Sequence, residues 1–316
     1  MGGVRTNAGP GLARRGADDD GGVRRLPPTL RVVAAAAERV HVRGQERAGA
    51  MARTRLREDA AYLTPYGVRL HADPLDQFER LMALGLFERH VVDMIRRFAL
   101  PGSTVIDGGA HIGYTAVVAA RAVGAAGAVH AFECDPRAVR RLREHVELNE
   151  TPWVVSNEAA LADVSDVRAV LHVPPQVGWA STRGAPAGGW AARLDVRTLA
   201  LDDYLDRAGV DPATVSLVKL DLEGSELEAL RGAPRTLAGA RPALIVEFIP
   251  EQSAAGRRRA DELFEFVAAF GYEAFVPAAP RFRRRPAAPL VRHDGVSRAD
   301  ILFLHPESEA WRLAFA

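Results

Sequence analysis

Cysteine and lysine are almost missing from this chain of 316 residues: Cys134 and Lys219 are the sole examples of each. A lone cysteine excludes a disulfide framework and a cysteine-built zinc site, and it suits a reducing, cytoplasmic compartment. With one lysine among 41 basic residues, arginine carries nearly all the positive charge. Together with abundant alanine, glycine and proline, that bias reflects GC-rich coding rather than a binding function. No uninterrupted apolar run reaches the roughly 18 residues of a membrane span. "RVVAAAAERV" is too short and too polar at its ends for the core of a signal peptide. A strong overall field is also absent, since 41 basic against 40 acidic residues leave a net charge of +1, which disfavours nucleic acid and membrane as partners.

What remains is an ordinary globular composition, 48% hydrophobic and 26% charged, long enough to bury a large core. Residues 1–58 differ from the rest, with twelve arginines against six acids. Glycine pairs, the triplet Asp18-Asp19-Asp20 and the lack of a sustained period predict a disordered or loosely helical basic extension. Within it, Arg31 to Val42 has too few large apolar residues to dock firmly. Met51 offers a second reading, in which residues 1–50 are a mis-assigned upstream extension. Residues 59–100 are expected to form a hairpin around Pro65-Tyr66-Gly67 and a helical cap. From 101 to 316, apolar strands alternate with amphipathic helices. Strands are expected near 104–109, 128–133, 153–159, 215–221 and 242–248, and helices near 112–123, 136–148, 225–238 and 259–270. "YEAFVP" and "ADILFLHP" close the chain as a strand pair. The pattern predicts an α/β fold with a mostly parallel sheet covered on both faces.

Two stretches carry chemistry. "VIDGGAHIGYT" is a strand, a glycine turn and the start of a helix, the outline of a nucleotide-binding βαβ unit. A dinucleotide fingerprint would need glycine where Ala110 stands. Asp107 at the strand tip would repel a pyrophosphate, yet it suits a cationic amino-acid group, so the turn points to S-adenosylmethionine rather than a nicotinamide. Glu133, twenty residues after Gly113, has the position and chemistry to accept hydrogen bonds from both ribose hydroxyls. The second stretch, "VKLDLEGSELEALRGA", places Lys219, Asp221 and Glu223 on one side of a strand near its carboxyl end, where ligands of open α/β sheets bind. Ser225 and Glu228 have capping-box spacing.

In order and spacing, "GLFE", "VIDGGAHIGYT", "HAFECDP", "NEAALAD", "LDDYL", "VKLDLEGSELEALRGA" and "RPALIVEF" resemble the FkbM-type methyltransferases over residues 62–306. The resemblance implies the Rossmann-like class I methyltransferase fold, with a seven-stranded, mostly parallel sheet ending in an antiparallel strand pair. It implies S-adenosyl-L-methionine as cofactor and O-methylation of a hydroxyl on a secondary metabolite or sugar, an anionic acceptor included. Asp107, Gly109 and Gly113 would line the methionine end of the cofactor and Glu133 its ribose. Glu158 and Ala159 would lie near the adenine, and Asp221 with Glu223 would face the transferred methyl. Family members usually carry Asn in place of His111 and Pro in place of Cys134. Both residues are therefore expected at the cofactor, with His111 also a candidate base behind Asp221 and Glu223. No metal is expected. Glu247, at the tip of the fifth strand, could bind a metal with Asp221, but facing solvent is its default. Trp179 with Trp190 is a candidate lid, and Arg281, Arg283, Arg284 and Arg285 are candidate anion contacts. An NAD-type oxidoreductase, a non-catalytic cofactor-binding protein and RNA methylation are the competing readings.

Overall fold

A computed structural model describes residues 22–37, 43–57, 60–173, 192–248, 254–277, 290–292 and 299–315. The chain opens with β1 (Val23–Arg25), α1 (Pro28–Ala37), α2 (Arg43–Arg53), β2 (Ala61–Leu63), β3 (Arg69–His71), α3 (Gln77–Ala83) and α4 (Arg89–Phe98). There follow β4 (Thr104–Gly108), α5 (Tyr114–Val123), β5 (Ala128–Glu133), α6 (Pro136–Leu148), β6 (Val154–Glu158), β7 (Ala160–Leu161), β8 (Arg168–Val173) and β9 (Ala192–Leu199). The last third holds α7 (Leu201–Ala208), β10 (Val215–Leu220), α8 (Glu226–Arg231), α9 (Pro234–Gly239), β11 (Ala243–Phe248), α10 (Ala254–Ala269), β12 (Glu273–Pro277), β13 (Leu290–Arg292), β14 (Ala299–Leu304) and α11 (Glu309–Phe315).

The main sheet has the order β13-β12-β14-β11-β10-β4-β5-β6. Its five strands from β11 to β6 are mutually parallel, and β14, β12 and β13 complete it in antiparallel pairings. The seven expected strands are all there, and three-residue β13 extends the edge by one. All five residues of β4 are buried, as helices on both faces require of a central parallel strand. Val105, Val129 and Leu217 pack toward α4 and α5 on one face. Ile106, Phe132 and Val218 pack on the other, with α7, α8 and α10. Strand order reverses between β4 and β10, and at such a switch point the loops part to leave a crevice.

Three local expectations need correction. The helix predicted over 225–238 is two helices broken at Gly232-Ala233-Pro234, because proline disfavours helical backbone in the residue before it; Ala233 takes φ −129°. A Cβ on Gly232 would also lie 2.1 Å from the Ala162 carbonyl oxygen. The capping box does not form either, since Ser225 caps α8 without a side-chain hydrogen bond and Glu228 pairs with Arg259 at 2.6 Å. Within the amino-terminal extension, β1 pairs in parallel with β2, and Leu26, Leu30, Ala34, Ala48 and Ala52 join the buried core shared with α4 and α5. Small alanines let helix backbones approach closely, so docking here needs few large side chains.

Candidate functional site

The switch-point crevice is a cavity of about 710 Å³, walled by the ends of β4, β5, β10 and β11 and roofed by the α3–α4 cap. Its first wall is the turn after β4. Gly109 adopts φ +72°, and a Cβ there would sit 1.8 Å from the backbone oxygen of Asp221. Only glycine lets these two strand tips approach so closely. Gly113 (φ +88°) caps α5 against Leu142 and stands behind the cavity rather than on its surface.

Glu133 ends β5 on the cavity wall, with its carboxylate fixed by three backbone donors. The N–H groups of Cys134 and Asp135 donate to Oε1, each at 2.8 Å, and that of His111 donates to Oε2 at 2.9 Å. Burial raises its pKa while these donors pull it back. Oε1 is filled by its two donors, and Oε2 retains a lone pair for a ligand hydroxyl. His111 sits in the left-handed region (φ +49°), and burial lowers its imidazole to about 4, so it is neutral at physiological pH and a weak base. Cys134 lines the cavity, and burial pushes its thiol well above the ordinary range, which makes it a packing group and no nucleophile.

Beneath the turn lies an ion triad. Lys219, 4% exposed, places Nζ 3.3 Å from Asp107 Oδ1, 3.4 Å from Asp221 Oδ2 and 3.2 Å from the Gly109 carbonyl oxygen. Burial alone would lower its pKa, but Asp107, Asp221 and Glu88 outweigh that and raise it. Asp107 also accepts a hydrogen bond from Thr115 Oγ1 at 2.8 Å and lies behind the cavity wall. Asp107 therefore reaches a ligand only through Lys219 and the turn. Asp221 lines the cavity; burial would raise it, and Lys219 holds it below the usual carboxylate range.

Glu247 does not face solvent. It lines the cavity and hydrogen-bonds Asp221, and burial together with that neighbour pushes it up to about 10. Two carboxyl groups so joined hold one proton between them. Oxygens of Asp221, exposed Glu223 and Glu247 lie within 4.8 Å of one another, a spacing that a cation could bridge. Glu226 is a residue sequence reasoning missed: 7% exposed, its Oε1 accepts from Leu222 N (2.9 Å) and Gly224 N (3.0 Å) and so fixes the turn that carries Glu223. Ala159 lines the cavity, but the adjacent Glu158 is exposed beside Arg143, because successive strand residues face opposite ways. Trp179, Trp190, Arg281, Arg283, Arg284 and Arg285 lie outside the described residues. Among the described residues no helix is long and apolar enough to cross a membrane.

The Methyltransferase FkbM domain model matches residues 107–274, and the chain belongs to that family. No curated protein matches the chain. Three solved structures are similar to the chain. Methyltransferase FkbM from Methylobacillus flagellatus is 16% identical, with 72% of this chain and 54% of that one covered, at TM-score 0.39. The present chain thus spans about half that relative's length. The O-methyltransferase TomG of Streptomyces achromogenes, involved in tomaymycin synthesis and solved with S-adenosylmethionine, is 16% identical over 68% of this chain and 77% of that one, at TM-score 0.40. A SAM-dependent O-methyltransferase from Thermotoga maritima is 12% identical over 69% and 64%, at TM-score 0.37.

The residues present fit S-adenosylmethionine. Gly109 leaves room for close backbone approach, Glu133 presents a fixed acceptor, and Asp221 supplies negative charge where a sulfonium would carry positive charge.

Proposed function

We propose that the protein is an S-adenosylmethionine-dependent O-methyltransferase acting on a hydroxyl of a small molecule such as a secondary metabolite or sugar. The observation that carries this reading is an ionised Asp221 on the cavity wall, held by Lys219 beside the cofactor turn. Glu133 would hold the ribose, and Gly109 with Ala110 would lie along the methionine chain. When bound, the cofactor supplies an activated methyl on a sulfonium. The chain's own residues then need to orient the acceptor oxygen in line with that methyl, and to receive its proton at an Asp221 carboxylate oxygen as the C–O bond forms and the C–S bond breaks. Glu247 donates a hydrogen bond to Asp221 and helps hold its carboxylate in place. The cap residues Phe78 and Phe87, in edge contact at 5.8 Å, exclude water from the roof.

Calorimetric titration with S-adenosylhomocysteine, S-adenosylmethionine and NAD, on the wild type and on an Asp107→Ala/Glu133→Ala variant, tests the cofactor. Micromolar binding of the first two, lost in the variant, is expected. NAD binding, or no binding, would remove the reading. Asp221→Asn should keep S-adenosylhomocysteine affinity within about threefold and lose methyl transfer by about 100-fold or more, the usual range for general-base removal.

A further inference from the structure

Tyr114 is the first residue of α5, a ten-residue helix whose cap, Gly113, offers no side-chain hydrogen bond. The tyrosine is 2% exposed and lines the cavity, and its hydroxyl has no hydrogen-bond partner among the described residues. A buried phenol without a partner is costly, and its natural resolution is a ligand atom. The helix amino terminus beside it favours an anion. Across from it stands Glu88, the cap of α4, on the cavity lining and in the left-handed region at φ +40°. A non-glycine residue is strained there, so the surrounding cap fixes it against its preference. A hydroxyl donor at a helix amino terminus and a carboxyl acceptor thus line the same cavity as Gly109.

We propose that Tyr114 and Glu88 read the α-amino acid end of the cofactor, Tyr114 donating to its carboxylate and Glu88 accepting from its ammonium. The proposal rests on the reading of the cavity as an S-adenosylmethionine site and makes the α3–α4 cap part of cofactor recognition. Glu88 faces Asp221 and Lys219 from the end of β10, Asp300 from β14, and His90, which pairs with Asp300, from its own helix. In the free protein, burial and Asp221 push the Glu88 carboxyl up to about 8. An ammonium beside it would lower that value, so binding at pH 7 releases a proton from Glu88.

The test compares S-adenosylhomocysteine with 5′-methylthioadenosine, which lacks the amino acid, by calorimetry on the full chain in two buffers of different ionisation enthalpy. Tyr114→Phe and Glu88→Gln should each weaken S-adenosylhomocysteine about tenfold or more while leaving 5′-methylthioadenosine within about twofold. The buffer-dependent heat should appear with S-adenosylhomocysteine on the wild type and vanish with Glu88→Gln. Equal weakening of both ligands would mean that the variants merely loosen the cavity. Unchanged affinity for both would place the pair outside the cofactor site, and either result overturns the proposal. A wild type that binds neither ligand would instead remove the S-adenosylmethionine reading beneath it.

Discussion

The two halves of the crevice solve the same problem with different means. On the β5 side, the carboxylate of Glu133 is satisfied by backbone N–H groups that belong to the turns themselves. On the β10–β11 side, Asp221 and Glu247 are satisfied by each other and by Lys219, all of them side chains. Backbone donors persist at every pH and under most substitutions. Side-chain pairing can be rewritten one residue at a time, and it titrates. The β5 half is thereby invariant and the β10–β11 half adjustable.

Substitutions can break this contrast. The largest effect should come from Gly109→Ala, whose Cβ would require the two strand tips to part, since its nearest neighbour would be backbone at 1.8 Å. Loss of S-adenosylhomocysteine binding by more than about 100-fold is expected by calorimetry, with folding checked by circular dichroism. Lys219→Met should follow, leaving Asp107 and Asp221 buried without their cation, at a cost of about 3–5 kcal/mol in urea unfolding. A loss below about 1 kcal/mol would show that the triad adds no stability. Glu247→Gln sharpens the titrating half. Its carboxyl binds a proton in the folded protein up to about pH 10, whereas the unfolded chain releases it near the ordinary carboxyl value of about 4.3. Stability from this group is therefore full below about pH 4 and is lost as pH rises toward 10. The variant should flatten the fall in Tm between pH 5 and 9; an unchanged slope would contradict the shared proton. Smallest of all, Glu223→Gln at an exposed turn should change S-adenosylhomocysteine affinity by less than about threefold, as surface changes usually do.

The βαβ run from β4 to β6 was legible because each element there follows its own period, with mostly apolar β4 and β5, α5 closed by Gly124 and α6 opened by Asp135 and closed by Asn149. Gly109, Glu133 and Asp221 could be placed at the cavity because each stands at a strand tip or in the turn that follows one, whereas Asp107, also at a tip, lies behind the wall. Glu247 could not be placed, since its neighbour Asp221 belongs to the adjacent strand and only pairing of β10 with β11 brings them together. Glu88 and Tyr114 line one cavity because the cap folds over the sheet, a juxtaposition with no sequence period. Docking of α1 and α2 escaped for a related reason: alanine gives a weak hydrophobic signal, and what matters is the close approach it permits. Glu158 and Ala159 show the limit of tip-level reasoning, where one residue of offset decides which side of the strand meets the cavity.

The burial of Lys219 also has a practical side. With no other lysine in the chain and this one only 4% exposed, the folded protein presents no side-chain amine to solvent. Amine-directed labels, crosslinkers and fixatives should therefore leave the side chains of the native molecule untouched and react at one position once the switch point opens. The chain carries its own single-site reporter of opening at the place where the glycine turn after β4 meets the end of β10.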